Sequence, residues 1–368
     1  MASMRDVAEA AGVSVATVSH VLRGTKRVTP AVAARVRAAA EALAYVPNRQ
    51  ASALRTGRTG ILGVLLPDLG NPFFPALLNA VEVAARAAGY LVMVHDTEDD
   101  TELEARALER LAALRVDGLV WVPVHDAAPS ARDRVRKAGR APREVQLPDI
   151  PLVTLDRPVV ERDAVFADHV GGGALVAAHL KALGLTRVAL LHGATNIASA
   201  RARRRGFLAE FEPGEPVWEA QSGFTHELPG AVVRLLRRGG FDAVVSANDA
   251  VAAGVIRVLK QAGVSVPRDV SVVGFDDIPW ARLVEPPLTT VRQPLTAIGA
   301  AAVRLLLERM ADPGRAARQV VLPVELVVRG STAAKERRAS ARAGAEGTSV
   351  APVAKAARAR PASGVSRP

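Results

Sequence analysis

The sequence predicts an all-α head of three short helices, a basic linker, a two-lobed α/β domain with parallel sheets, and a disordered C-terminal tail. Three observations carry this reading. Residues 1–46 hold short apolar patterns at helical spacing, broken at Gly12 and Gly24. From Gly60 onward, apolar runs of four to six residues alternate with alanine-rich helical stretches, the texture of βαβ units. Residues 331–368 are rich in Ala, Arg, Ser, Gly and Pro without periodicity, a composition that builds no core.

In the head, Arg5–Ala11 is helical by pattern, with Val7, Ala8 and Ala11 apolar. Gly12 ends it, because glycine tolerates the left-handed conformation of a helix end. Ser14 is an N-cap for a second helix over Val15–Leu22. Thr29-Pro30 opens a third, with Thr as cap and Pro at the first helical position. Val32, Val36, Ala39, Ala40 and Leu43 recur there at helical spacing, and Pro47 stops it. A linker follows over 47–60 with Arg49, Arg55 and Arg58.

The domain over 61–330 then alternates. Ile61–Leu66, Leu91–His95, Gly118–Val122, Leu152–Leu155, Val188–Leu191, Ala243–Ser246 and Val270–Gly274 read as strands. Phe74–Ala88, Glu102–Leu114, Gly173–Leu183, Ala202–Glu210, Leu228–Arg238, Ala250–Ala262 and Thr296–Met310 read as helices. Near-continuous apolar strands fit sheets covered on both faces. There are too many for one compact sheet, so two lobes are expected.

The charge distribution narrows the function. The net charge is +11 over 368 residues. Residues 1–60 hold nine Arg/Lys against three Asp/Glu, and residues 331–368 hold eight against two. A neutral globule thus carries a basic module at each end, and a basic end suits a polyanion. For the tail, solubility or disorder explains the charge as well, and it adds at most salt-dependent, sequence-independent DNA affinity. No cysteine is present, which excludes disulfides and thiol chemistry. The seven histidines are scattered without metal spacing, so neither metal nor cofactor is expected. No export signal and no membrane-length apolar run is seen, so a cytoplasmic, nucleoid-associated location is expected.

The first two helices have the geometry of a helix-turn-helix, although the spacing alone also fits a small helical bundle. Val18 and Val21 face inward, which leaves Val15, Ala16, Ser19 and His20 outward. Ser14, Thr17 and Ser19 suit phosphate oxygens. His20 can donate to a guanine or a phosphate, and Val15 and Ala16 can touch thymine methyls.

The segments DVAEAAGVSVATVSHVLRG (Asp6–Gly24) and YVPNRQASALRTGRT (Tyr45–Thr59) resemble the head and hinge of the lactose/galactose repressor family. The resemblance runs to about residue 330. It implies a periplasmic-binding-protein-like domain of two lobes, roughly 61–161 with 294–322 and 162–293 with 323–330. It implies that Val15, Ala16 and His20 set operator preference. The hinge matching Asn48–Leu54, with Ala51 on it and Arg55 beside it, would fold into a helix on specific DNA. Leu54 would wedge into the minor groove at a central step, where the cost of unstacking is offset by the contacts that the kink admits; on its own it reads as a linker leucine. Two hinges side by side imply a homodimer on a pseudo-palindromic double-stranded operator. No leucine-zipper heptads follow residue 330, which argues against a helical tetramer tail.

The same resemblance places a small-molecule effector, most simply a carbohydrate, between the lobes. PDLGNPFF (Pro67–Phe74) would close over it, with Phe73 or Phe74 lining the pocket or filling the core. Ser199 and Arg203, four apart before Gly206-Phe207, match a ligand-binding pair; Arg201, Arg204 and Arg205 read as solvated neighbours. Asn248 in SAND and Asp276 in GFDD stand at strand C-termini, where open α/β sheets bind ligands, though Asp276 also reads as a turn or cap residue. Phe224 matches a stacking aromatic, and Gln293, in the crossover segment Pro286–Pro294, lies near the cleft. His169 stands where an Asn is common, as a ligand contact or a cap. The stretch 123–150 is longer than the family's and 207–224 shorter.

Three readings of function compete. A repressor controlled by a sugar, or else a purine or organic acid, accounts for the head and hinge. A transport-type solute-binding protein would need an export signal and no head. A sugar-acting enzyme would need a phosphate loop or paired catalytic carboxylates, and neither motif is found, so no catalytic residue is assigned.

Overall fold

The computed structural model describes residues 2–23, 26, 28–45, 57–126, 149–159, 161–211 and 216–334. Its head has three helices, α1 (Met4–Ala11), α2 (Val15–Arg23) and α3 (Pro30–Ala42). Ser3 and Asp6 cap α1 reciprocally, and Gly12 ends it at φ 61°. Ser14 caps α2, its Oγ accepting from the Thr17 amide at 3.1 Å. Thr29 occupies the N-cap position of α3 but makes no side-chain cap bond; Pro30 alone sets that start. Val7, Val18, Val21, Val36 and Ala40 form the small core, while Leu43, expected on the apolar stripe, is 36% exposed.

The α/β region forms two six-stranded sheets. The first comprises β1 (Ile61–Leu66), β2 (Leu91–Asp96), β3 (Gly118–Trp121), β4 (Leu152–Leu155), β5 (Asp163–Ala167) and β11 (Gln319–Leu322), ordered β11-β5-β4-β3-β1-β2. Its pairings are all parallel. Helices α4 (Phe73–Ala87), α5 (Thr101–Ala113) and α11 (Leu295–Ala311) cover it. Buried Leu62, Val64, Leu77 and Leu306 fill one face, and Leu65, Leu111 and Trp121 the other.

The second sheet holds β6 (Val188–His192), β7 (Trp218–Gln221), β8 (Ala243–Val245), β9 (Ser271–Asp276), β10 (Thr289–Arg292) and β12 (Glu325–Val327), ordered β12-β10-β9-β8-β6-β7. Only β12 runs antiparallel. Around it lie α6 (His169–Ala182), α7 (Ala198–Phe211), α8 (Gly230–Arg238), α9 (Asp249–Gln261) and the short α10 (Trp280–Leu283). Helices α6 and α7 pack backbone to backbone. A Cβ on Gly173 would meet the Arg203 carbonyl at 2.1 Å, and one on Gly206 the Val170 carbonyl at 2.0 Å. Only glycine permits that approach, and it fixes where Arg203 stands.

The topology corrects three expectations. β5 belongs to the first sheet, so the chain enters the second lobe at Asp168 rather than at 162. The segment matched to a crossover strand is β10 within the second sheet; the return to the first lobe begins after Gln293. The second lobe also extends past 330. Ser331 is fully buried, its Oγ donating to the Val272 carbonyl and accepting from the Thr289 amide. The rest of the expected tail, from 335, lies outside the described residues.

Candidate functional site

The strand C-termini of both sheets converge on one cleft of about 410 Å³, open to solvent. The first lobe contributes Asp68, Asn71, Phe73, Phe74, Asp99, Asp156 and Arg157; the second contributes Ser199, Arg203, Phe224, Asn248 and Asp276. Of the expected effector residues, seven line it. The eighth, Gln293, does not; it is buried and its Nε2 donates to Asp276 Oδ1 at 2.7 Å. It braces the carboxylate that faces the cleft.

In the first lobe, Asn71 Oδ1 accepts from the Phe73 amide at 3.2 Å and shapes the entry to α4. Phe73 and Phe74 are both buried and meet edge to face, 5.2 Å between centroids. Both also line the cleft, so the choice between core and pocket dissolves. Asp156 and Arg157 follow β4 directly. Arg157 is 4% exposed, and its Nη1 donates to the carbonyls of Pro123 and Val124. Burial lowers its pKa, with Asp156 opposing.

Arg203 is the hub of the second lobe. Its Nη1 donates to the Ala247 carbonyl at 2.9 Å, its Nη2 lies 3.3 Å from Asp276 Oδ1, and its guanidinium sits 3.8 Å over the Phe275 ring. Asn248 caps α9 through Oδ1 to the Val251 amide, and its Nδ2 donates to the Phe224 carbonyl. Its amide is therefore oriented by the protein on both sides. Gly193 leaves room for the Phe224 ring, since a Cβ there would lie 2.3 Å from Cζ.

Ionisation differs between the two buried carboxylates. Burial alone would raise Asp156, but contacts to His169, Arg157 and Arg203 outweigh it and hold the carboxyl well below the usual range. Asp276 goes the other way: burial pushes it up to about 6, against the pull of Arg203 and Gln293. Both carry positive φ, 59° and 115°, a conformation costly to a non-glycine residue and held only by its surroundings. Asp277, which follows, is gripped by Arg292 and Arg329, which clamps the loop.

The lobes also touch through side chains. Ser199 Oγ donates to Asp156 Oδ2 at 2.9 Å. Asp126, after β3, accepts from the Ala198 amide at the start of α7 at 2.8 Å and pairs with Arg201 at 2.6 Å. Of the three arginines expected to be solvated neighbours, Arg201 and Arg205 are exposed, although Arg201 also makes the cross-lobe contact and Arg204, half-buried, pairs with Glu219 at 2.7 Å. Sequence reasoning missed Asp68, Asn71, Asp99, Asp126, Asp156 and Arg157 as site residues. Asp156-Arg157 had a readable signal, two charged residues at a strand C-terminus.

On the head, Ser14, Val15 and Ala16 are exposed at the start of α2, with Thr17, Ser19 and His20 half-buried. The Thr17 hydroxyl is 2.9 Å from Ser14 Oγ, so it serves the turn first. Asn48, Ala51, Leu54 and Arg55 lie outside the described residues. Among the described residues, no cluster of three or more side chains suits a metal ion, and no helix is long and apolar enough to cross a membrane.

Two family models match, "Bacterial regulatory proteins, lacI family" over residues 3–48 and "Periplasmic binding protein-like domain" over 177–332. The regulator DegA of Bacillus subtilis is 34% identical over 89% of this chain and 97% of its own. The ribose operon repressor of Escherichia coli K12 is 33% identical over 90% of this chain and all of its own. The lac repressor dimer, solved bound to operator and the anti-inducer ONPF, matches with TM-score 0.77 at 29% identity, over 90% of this chain and 99% of that one. The likeness thus takes in the head and both lobes along nearly the whole chain, which belongs to the lacI family of bacterial regulatory proteins and is a DNA-binding transcriptional regulator.

Proposed function

We propose that this regulator is a homodimeric repressor of the nucleoid whose operator affinity is set by a neutral, pentose-sized sugar bound in the interlobe cleft. The observation that carries this is the lining: carboxylates (Asp68, Asp99, Asp156, Asp276), guanidiniums (Arg157, Arg203) and amides (Asn71, Asn248) face one space walled by Phe73, Phe74 and Phe224. Carboxylates accept from hydroxyls, guanidiniums donate to them, and the rings cover a sugar's apolar face. The kinship with ribose operon repressors points the same way.

On DNA, Val15, Ala16 and His20 of each head read a half-site, and Leu54 of each hinge opens the central step. Ligand in the cleft shifts the lobes, and with them the hinges. No catalytic role is assigned to any residue. The test is a thermal-shift screen of the full-length protein with D-ribose, D-xylose, D-glucose and hypoxanthine, followed by operator binding with each compound that stabilises it. A pentose should raise the melting temperature and change operator affinity. Stabilisation by hypoxanthine and by no sugar would overturn the ligand class.

A further inference from the structure

His169 opens α6, one residue after the chain has crossed into the second lobe at Asp168. It is 4% exposed and does not line the cleft. The cap of α6 is Asp168, whose carboxylate accepts from the Gly171 amide, so His169 is not needed as a cap. Its ring stands 6.0 Å from Phe275, the ring on which Arg203 lies.

The two ring nitrogens face two different lobes. Nδ1 is 3.3 Å from Arg203 Nε. An arginine Nε only donates, so Nδ1 is the acceptor, and the single proton of the neutral imidazole sits on Nε2. Nε2 stands 3.1 Å from Asp156 Oδ1 of the first lobe. Neither atom has a hydrogen-bond partner, so the two face each other as a close polar contact. A line of close polar contacts runs Asp156–His169–Arg203–Asp276, with steps of 3.1, 3.3 and 3.3 Å, of which His169–Arg203 is a hydrogen bond. All but His169 line the cleft.

We propose that His169 is a positioning residue for effector binding: as the neutral Nε2–H tautomer it aims Arg203 from one lobe and faces Asp156 of the other, and protonation of its ring releases Arg203 and draws Asp156 away from the ligand. This rests on the reading of the cleft as the effector site. The charged groups facing the ring are Asp156 and Arg157 from the segment after β4, Asp168 beside it, Arg203 from α7 and, beyond Arg203, Asp276 from β9. A proton on Nδ1 removes the acceptor for Arg203 and sets two cations 3.3 Å apart. It also gives Asp156 an imidazolium to pair with in place of a ligand hydroxyl. Burial pushes the imidazole below its ordinary 6.5, which keeps it neutral at pH 7.

Two side chains separate the two bonds. In His169→Asn, Oδ1 takes the place of Nδ1 and accepts from Arg203, with no proton to gain. In His169→Gln, Nε2 takes the place of the imidazole Nε2 and donates to Asp156, but the acceptor for Arg203 is lost. A hydrogen bond to a charged group is worth about tenfold or more in affinity.

The test has two arms, both on the full-length protein. The first uses no ligand: ¹⁵N NMR of histidine-labelled protein, with His169 assigned by its loss in His169→Asn. It should report the Nε2–H tautomer, and Arg203→Met should raise its titration midpoint by removing the facing cation. An Nδ1–H tautomer, or a titration indifferent to Arg203, would overturn the proposal. The second is calorimetry with D-ribose from pH 5.5 to 8. At pH 7.5 His169→Gln should weaken binding about tenfold, and His169→Asn should restore it to within about threefold. As pH falls through about 6 Asp276 gains its proton in both proteins, and the wild type should lose more affinity on acidification than His169→Asn. Equal affinities for Asn and Gln, on the wild-type pH profile, would overturn the proposal. Failure of the wild type to bind D-ribose would overturn the pentose reading, while the NMR arm still decides whether His169 couples to Arg203.

Discussion

Asp276→Asn is expected to move binding and stability in opposite directions. Asp276 is 4% exposed and its carboxyl is pushed up to about 6 mainly by burial, net of what Arg203 and Gln293 give back. In the unfolded chain the same group ionises near its ordinary 3.8. Between those values the native state holds a proton that the unfolded state has released. Native stability therefore falls as pH rises from about 4 to about 6, and stays lower above that. The full difference amounts to roughly 3 kcal/mol at pH 7.5. Asparagine mimics the protonated acid and removes this pH dependence. Relative to wild type, Asp276→Asn should gain about 1–3 kcal/mol of stability on going from pH 4.5 to pH 7.5, while losing at least tenfold in affinity for a ligand whose hydroxyl the carboxylate accepts. Urea denaturation of wild type and variant at the two pH values measures the first, and calorimetry with D-ribose the second. A stability difference that is the same at both pH values would refute the reasoning, because the ionised carboxylate would then cost nothing.

Removing the cross-lobe contact with Asp126→Ala takes away an N-cap worth about 1 kcal/mol and an ion pair that half-exposed Arg201 keeps weak. A closed cleft should become about fivefold to thirtyfold less populated, read as weaker D-ribose binding with the heads' DNA affinity unchanged; unchanged sugar affinity would leave Asp126 a local cap only. Asp163 is bound by Arg309 at 2.9 Å and Arg315 at 2.6 Å, with both arginines mostly buried. Asp163→Ala leaves two buried cations unpaired, which costs about 3–5 kcal/mol, visible as a melting temperature lower by about 10 °C; a fall of a degree or two would show that the loop relaxes. Leu54→Ala should weaken operator binding far more than binding to random DNA, measured by competition, and equal losses would remove the wedge.

Strands were legible where both faces are buried and illegible where polarity is satisfied in other ways. Ile61–Leu66 is an apolar run without interruption and Leu152–Leu155 is broken only by Thr154, and their bounds could be read from the chain. β5 opens with Asp163, which a search for apolar runs rejects; it is buried only because Arg309 and Arg315 bind it. β10 opens with Thr289 and Thr290, buried through bonds to Ser331, Thr332 and Asp249. β7 and β11 are edge strands whose burial alternates, too short for a period-two signal to stand out. The cleft was legible by halves for a related reason. Asn248 and Asp276 end strands in motifs that resemble the family's, whereas Asp156 and Arg157 need the rule about strand C-termini applied to β4. Asp126 has no signal in one dimension and His169 only its place where the family commonly has Asn, since each acquires its role from a partner distant along the chain, 72 residues away for Asp126 and 34 for His169.

The connection from cleft to DNA also passes through charges that composition hides. The linker enters the first lobe at Thr59 and Gly60, and Asp117 fastens both. Its Oδ1 accepts from the Thr59 amide at 2.7 Å and hydroxyl at 2.9 Å, and its Oδ2 from the Gly60 amide at 2.9 Å. Asp117 immediately precedes β3, and Asp126 follows it. One short stretch of the first lobe thus carries the anchor of the linker at one end and the grip on α7 at the other. A ligand that draws Arg203 and Asp156 together must move α7 against that stretch, because Ala198 and Arg201 of the same helix are bound to Asp126. Displacement of α7 is then delivered to the residue that holds the linker along β3, a buried inner strand whose close packing makes it shift as a unit rather than deform. Asp117→Ala should accordingly leave sugar affinity intact and reduce the change in operator affinity on adding sugar. If the full ligand response survived that substitution, the signal would have to reach the heads by another route, through the relative rotation of the two first lobes in the dimer.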